Sequence, residues 1–209
     1  LLAIKKPNLL DKEISKLTQR EISNYSKFVH PFSLKFYGIV KTRNYIVLEF
    51  INGKTLMSIK SLYLNDEDKI TIIYQLMNVI SYLTVNNYVY RDLKPDNVMI
   101  DENKNVVLID FDRLIINDPN AVDKTQYFIS SFTAPEIIKT GDYSCKSDVY
   151  SLGKMMDYII TKTNTNKSSI DLSKIQEISQ QCMNEIPEDR PIIIEAMLEF
   201  YISYHTHIK

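Results

Sequence analysis

A chain of 209 residues is long enough for one substantial hydrophobic core or for two small lobes sharing a cleft. Hydrophobic residues make up 44% and charged residues 24%, which excludes a disordered chain, while 25 Lys plus Arg against 26 Asp plus Glu give a net charge of −1 and no extended basic face for nucleic acid. There is no run of eighteen apolar residues and the opening "LLAIKKPN" is too short for a signal peptide, so a cytoplasmic protein without a membrane segment is expected.

Residues 1–5 read as a strand, which "KPN" ends in a turn at Pro7. From Asp11, the apolar residues Ile14, Leu17, Tyr25 and Phe28 keep to one helical face. Glu21 lies on that same face, four residues from both Leu17 and Tyr25. A carboxylate there must sit at the edge of the stripe or have a partner. "FYGIV" (36–40) and "YIVLEF" (45–50) form a hairpin, and "INGKTL" then breaks the strand with Asn52 and Gly53. From Asp66, the residues Ile70, Ile73, Tyr74, Met77 and Ile80 recur at three and four, a helix of about four turns. "VMI" and "NVVLI" flank the turn-rich "DENK" and make a second hairpin, with "YRDLKPDN" (90–97) before it and "DFD" (110–112) after it. Residues 113–133 lack a sustained period and read as a long loop. Residues 148–160 and 172–183 read as helices separated by the polar "TKTNTNKSS", and a last helix runs from Pro191. Strands come mostly first and helices after, an α+β chain in two lobes. For Cys145 and Cys182, far apart in the chain, one disulfide, two core residues or neither are open, with free thiols the expected state.

The second hairpin carries the chemistry. Asn97 precedes one of its strands and Asp110 follows the other, so the pair can present hard oxygen ligands to one divalent ion. Mg²⁺ is usually held by only one or two carboxylates together with substrate phosphates and water. Asp92 lies five residues before Asn97, near enough to accept a proton from an incoming hydroxyl, and Lys94 can neutralise charge on a moving phosphoryl group. Singly these residues have ordinary explanations: Asp96, Asn97 and Asp101 as turn and cap formers, Lys94 as a solvated charge. Those explanations predict no fixed spacing among acid, amine and amide.

The ordered set resembles the eukaryotic protein kinases. "YRDLKPDN" is similar to their catalytic loop, "DFD" stands where they have Asp-Phe-Gly, and "APE" (134–136) closes the activation segment. "SDVYSLG" (147–153) resembles their central helix and "PEDRP" (187–191) their late arginine turn. The resemblance covers nearly the whole chain. It implies a bilobal kinase-like fold, with a small, mostly antiparallel N-lobe over residues 1–50 and a larger helical C-lobe over 51–209. Carried over residue by residue, it implies Asp92 as catalytic base, Lys94 as the phosphate-contacting lysine, and Asn97 and Asp110 as metal ligands. "LAIK" resembles the strand whose lysine, here Lys5, meets the α- and β-phosphates of ATP, and "REISNYSKFVHP" the helix whose glutamate, here Glu21, pairs with it. "VLEFING" resembles the inter-lobe linker, with Leu48 at the back pocket and the backbone of Glu49 and Ile51 at the adenine edge. Tyr25, Phe36, Tyr90 and Phe111 match the regulatory column between the lobes. Glu136 and Arg190 match the buried ion pair, and Asp148 the acid that holds the catalytic-loop backbone; Asp148 also reads as a helix N-cap.

The resemblance implies a Ser/Thr-directed enzyme using ATP and Mg²⁺, because tyrosine kinases usually carry Ala and Arg where Lys94 and Asp96 stand. A protein substrate and a regulatory protein are the expected partners, with Arg91 receiving a phosphate on Thr125, Tyr127 or Ser130. There are four departures from the family pattern. The glycine-rich loop is not seen and is expected upstream of Leu1. Asp112 replaces a glycine, which is expected to stiffen the turn. Ile129 stands in place of a hydroxyl residue, for which Ser130 or a small shift of the loop is expected to compensate. Arg190 follows Asp148 by only 42 positions, leaving little room for substrate-docking helices. A pseudokinase acting as a protein-binding scaffold is the alternative. "IDFD" also resembles small-molecule kinases of the aminoglycoside and choline kind, which lack "APE" and "SDVYSLG".

Overall fold

The computed structural model describes residues 1–6, 14–43, 45–61, 64–117, 129–162 and 170–208. The turn at Pro7, the helix start at Asp11, most of "TKTNTNKSS", Thr125 and Tyr127 lie outside them.

β1 (Leu2–Lys5), β2 (Phe36–Val40) and β3 (Tyr45–Glu49) form an antiparallel sheet in the order β1-β3-β2. Ala3 pairs with Leu48 and Lys5 with Ile46, so the register fixes the lysine at one end of the sheet. α1 (Ile14–Lys27) packs beside it, with Tyr25 on the helix and Phe28 just past its end both buried. β4 (Gly53–Thr55), β6 (Val98–Asp101) and β7 (Val106–Leu108) form a second antiparallel sheet, and β5 (Tyr88–Val89) pairs with β8 (Ile115–Ile116). β4 corrects the sequence reading of "INGKTL" as a break. A Cβ at Gly53 would meet the Ile100 carbonyl oxygen at 2.2 Å, so the glycine marks a close approach of strands rather than their end.

α2 (Asp66–Val85) is the central helix. Asn65 accepts from Asp68 N at 2.8 Å while the Asp68 carboxylate accepts from Asn65 N at 3.2 Å, a reciprocal cap. The three acids of its first turn favour the positive helix end. With 20 residues it runs beyond the expected four turns, because buried Leu83 extends the apolar pattern. The helix is buried around most of its circumference, so the larger lobe is built on it.

α3 (Pro135–Thr140) is a short helix that the sequence reading did not anticipate, stopped by Gly141 at φ 80°. α4 (Cys145–Lys162) starts earlier than expected. Asp148 therefore lies inside its first turn and is not the N-cap. α5 (Ser173–Cys182) crosses α4 where a Cβ at Gly153 would come within 2.8 Å of Cys182 Cβ. α6 (Ile193–Tyr204) closes the fold against α2. Among the described residues, α5 is the one α-helix between α4 and Arg190, which agrees with the short interval in the sequence. Both cysteines are free thiols, Cys182 buried and Cys145 partly so. Among the described residues no helix is long and apolar enough to cross a membrane.

Among the described residues the architecture is a small antiparallel-sheet lobe with one helix and a larger helical lobe, as the resemblance implied.

Candidate active site

Lys5 ends β1 and Glu21 lies on α1, and Lys5 Nζ meets Glu21 Oε1 at 2.5 Å and Asp110 Oδ1 at 3.2 Å. The acid on the apolar helical face thus has a partner. Burial pulls Lys5 down, but Asp110 and Glu21 outweigh it and hold the ammonium above its ordinary value. Burial pushes Glu21 up; Lys5 offsets this only in part, and Asp110 and Asp112 add to the push. Asp112 is raised too, by burial and then by Asp110, against the pull of Arg113 and Lys5. Several carboxylates thus crowd one lysine, an arrangement that favours a further cation.

The catalytic-loop stretch is anchored from beneath. Asp148 accepts from Tyr90 N at 2.6 Å and from Arg91 N at 2.9 Å, which fixes Arg91 in the left-handed region at φ 72°. Although these donors and Arg91 favour the charged form, burial pushes Asp148 up to about 6. Lys94 Nζ reaches both oxygens of Asp92 at 3.0 and 2.9 Å. Asn97 Nδ2 donates to Asp92 Oδ2 at 2.8 Å and to its backbone oxygen at 2.9 Å. Ile109 N donates to Asn97 O at 3.0 Å, which brings the residue before Asp110 against Asn97. The structure therefore gathers Asp92, Lys94, Asn97 and Asp110 as the hairpin predicts, and joins Lys5 and Glu21 to them through Asp110.

Phe111 packs edge-on to Tyr25 at 5.3 Å and to Tyr90 at 5.7 Å, and Tyr25 stacks on Phe36 at 6.0 Å. This is a continuous aromatic column. The Tyr90 hydroxyl donates to the Ile109 carbonyl, and Asn24 Nδ2 donates to the Phe111 and Leu114 carbonyls at 2.7 and 3.0 Å. Leu48 is buried opposite Phe36 on the paired strand. Glu49 ends β3 with its side chain 3.3 Å from Lys35, and half-buried Ile51 packs against the core just beyond.

Arg190 Nη1 and Nη2 each meet a Glu136 oxygen at 2.7 Å, and Ser147 Oγ donates to Glu136 at 2.8 Å. Burial raises Glu136, but the Arg190 bonds outweigh it and hold the carboxyl below its ordinary value.

Two sequence expectations about the departures need correction. Asp112 is not in the left-handed region: among the described residues the non-glycine positions with positive φ are Asn87, Arg91, Lys104 and Asp110. The turn takes its special conformation at Asp110, φ 64°, a residue type that tolerates it, so an aspartate in the glycine's place meets no such restriction. Ser130 also does not stand in for the missing hydroxyl. It bonds Thr133 Oγ1 at 3.3 Å and accepts from Phe132 N at 3.2 Å, while Ile129 is exposed. Instead, Arg113 Nη1 reaches Asp92 Oδ1 at 3.2 Å. Sequence reasoning missed this contact, which spans 21 residues and leaves no periodic signal.

No group of three or more His, Cys, Asp or Glu among the described residues forms a cage for a metal. An amide and a carboxylate such as Asn97 and Asp110 would suit an ion that shares its coordination with phosphates.

The protein kinase domain family model matches residues 1–202. The chain is similar to an Aurora kinase of Saccharomyces cerevisiae, 26% identical over an alignment that covers 91% of this chain and 58% of that protein. It is similar to an Aurora kinase of Eremothecium gossypii, 29% identical over 157 residues covering 73% of this chain and 43% of that one. A probable serine/threonine-protein kinase of Dictyostelium discoideum, MARK-A, is 28% identical over 157 residues, 73% of this chain and 15% of its own length. The chain thus spans little more than half of these relatives at most. A match along nearly all its length assigns the chain to the protein kinase family.

Proposed function

We propose that this chain is the catalytic domain of a protein serine/threonine kinase that moves the γ-phosphoryl group of ATP, with Mg²⁺, to a Ser or Thr hydroxyl. The observation that carries the reading is Asp92 bonded by Lys94 and Asn97, with Asn97 tied through Ile109 to the segment that holds Asp110. ATP with Mg²⁺ supplies the phosphoryl group and the charge neutralisation that its transfer needs. Asp92 orients the acceptor hydroxyl and takes its proton. Lys94 offsets charge on the side of the moving group. Asn97 and Asp110 hold the ion, and Lys5, steadied by Glu21, holds the remaining phosphates. Leu48, Glu49 and Ile51 line the adenine side, and the lobes divide near residue 50 of the sequence. Lys94, in place of the alanine usual in tyrosine kinases, supports Ser/Thr acceptors, as does the similarity to the probable serine/threonine-protein kinase of Dictyostelium discoideum.

The test is transfer of phosphate from MgATP to a mixed Ser/Thr peptide library, beside an Asp92→Asn control. The control should lower transfer by about 10²–10⁴-fold and leave ATP binding intact. Exposed Ile129 favours a second reading, a pseudokinase scaffold. That reading wins if ATP binds without transfer or does not bind at all.

A further inference from the structure

Asp92 is saturated. Lys94 contacts both of its oxygens, Asn97 contacts Oδ2, and Arg113 contacts Oδ1 at 3.2 Å. A carboxylate offers about four lone-pair sites, so an arriving hydroxyl finds none unoccupied. On the functional reading above, Lys94 and Asn97 have other work once nucleotide and metal are present: one turns to the phosphoryl group, the other to the ion. Arg113 has no task in that transfer, and its guanidinium stays on the oxygen that must receive the proton.

The segment that carries Arg113 is pinned. Asn24 holds the carbonyls of Phe111 and Leu114 on either side of it, Arg91 Nε donates to the Arg113 carbonyl at 2.6 Å, and Leu114 is buried. Its side chain, by contrast, retains some exposure, at 17%. Unmasking Asp92 therefore requires the Arg113 side chain to swing while the backbone on either side of it stays anchored. A guanidinium leaves a carboxylate most readily for another anion of matching fork geometry.

We infer that Arg113 selects the acceptor: it masks Asp92 until a carboxylate carried beside the acceptor hydroxyl draws the guanidinium away, so the preferred substrates are acidic peptides. Asp92 gains a lone pair when the acidic residue takes Arg113, and the same contact seats the hydroxyl beside it. The inference rests on the kinase reading, and its test separates the two.

The probes are Ser peptides bearing Asp next to the acceptor, on either side, and matched peptides bearing Asn. The wild-type chain should favour an Asp peptide by about 10- to 100-fold in kcat/KM. Arg113→Gln should remove that preference and raise turnover of the Asn peptides, and Arg113→Lys should keep part of the preference, since the charge persists without the fork. Thermal unfolding should be the same for all three, because the backbone anchors are untouched. An R113Q chain that loses activity equally on both peptide types, or keeps the preference, overturns the inference. So does a wild-type chain that transfers with no acidic preference. If the wild type transfers to nothing, the kinase reading has failed, and peptide binding then decides the acceptor claim. An Asp peptide with Ala at the acceptor position should bind about tenfold more weakly to R113Q by fluorescence anisotropy, and equal binding overturns the claim.

Discussion

Two pairs of opposite charge in this molecule are built differently. Arg190 has no exposed side-chain surface and Glu136 has 16%, whereas Lys5 is 41% exposed and Glu21 8%. The Arg190 donors are all engaged: beyond the fork on Glu136, Nε reaches Asn184 O at 2.8 Å, Nη1 reaches Lys146 O at 2.9 Å and Nη2 reaches Glu185 O at 3.3 Å. Its plane also lies 5.0 Å from the Tyr150 ring centroid. Lys5 divides one ammonium between two carboxylates and faces solvent. The first pair is a completed network that joins α3, the start of α4 and the turn before α6; the second is left with charge to share. What separates a structural ion pair from a working one here is burial and donor count, not the ion pair itself.

Arg190→Met should destabilise the fold by about 3–5 kcal/mol, because it strands the Glu136 carboxylate and several carbonyls. Urea unfolding checks this, and a loss below about 1 kcal/mol would mean the network is not the anchor its geometry describes. Asp148 comes next, as a buried acid without a salt-bridge partner of the Arg190 kind. Asp148→Asn leaves one amide oxygen for two backbone N–H donors and should cost about 1–3 kcal/mol. The pH dependence sharpens the point. Burial lifts the Asp148 pKa from 3.8 to about 6, so between those values the folded chain keeps a proton that the unfolded chain has lost. Its contribution to stability therefore falls as pH rises through that window and is level above it. The asparagine has no such proton, so D148N should be more damaging at about pH 4 than at about pH 8. Equal damage at both would place the carboxyl's proton affinity at its ordinary value.

The sequence carried most of this geometry wherever the signal was local or repeated. Glu21 stood out because an acid sat on an apolar face, and Asn97 and Asp110 because a hairpin joins its own mouths. Gly53 misled because glycine and asparagine together look like a strand break, and only the nearby Ile100 carbonyl explains the strand. α3 was missed because six residues give too little period, and α4 began early because "CKS" already belongs to its first turn. The Arg113 contact with Asp92 depends on two chain segments meeting in space. No pattern along either segment encodes it, whereas the expectation for Ser130 failed locally: a neighbour in sequence, Thr133, engages its hydroxyl.

Lys5→Met should have the smallest effect on stability and a large one on chemistry. The Lys5 side chain is 41% exposed, so solvent screens its pairs and the fold should lose no more than about 1 kcal/mol. Glu21 does not become a stranded charge of the Glu136 kind. Burial already raises its proton affinity, and without Lys5 that carboxyl takes up a proton more readily and becomes neutral. Phosphate transfer, by contrast, should fall by about 10²–10³-fold, the usual effect of removing one group that meets developing charge. Unfolding in urea and initial rates with MgATP, measured on the same preparation, separate the two effects. A K5M chain that unfolded as readily as R190M would make both pairs structural, and partial exposure would then not distinguish the pair that works from the pair that holds.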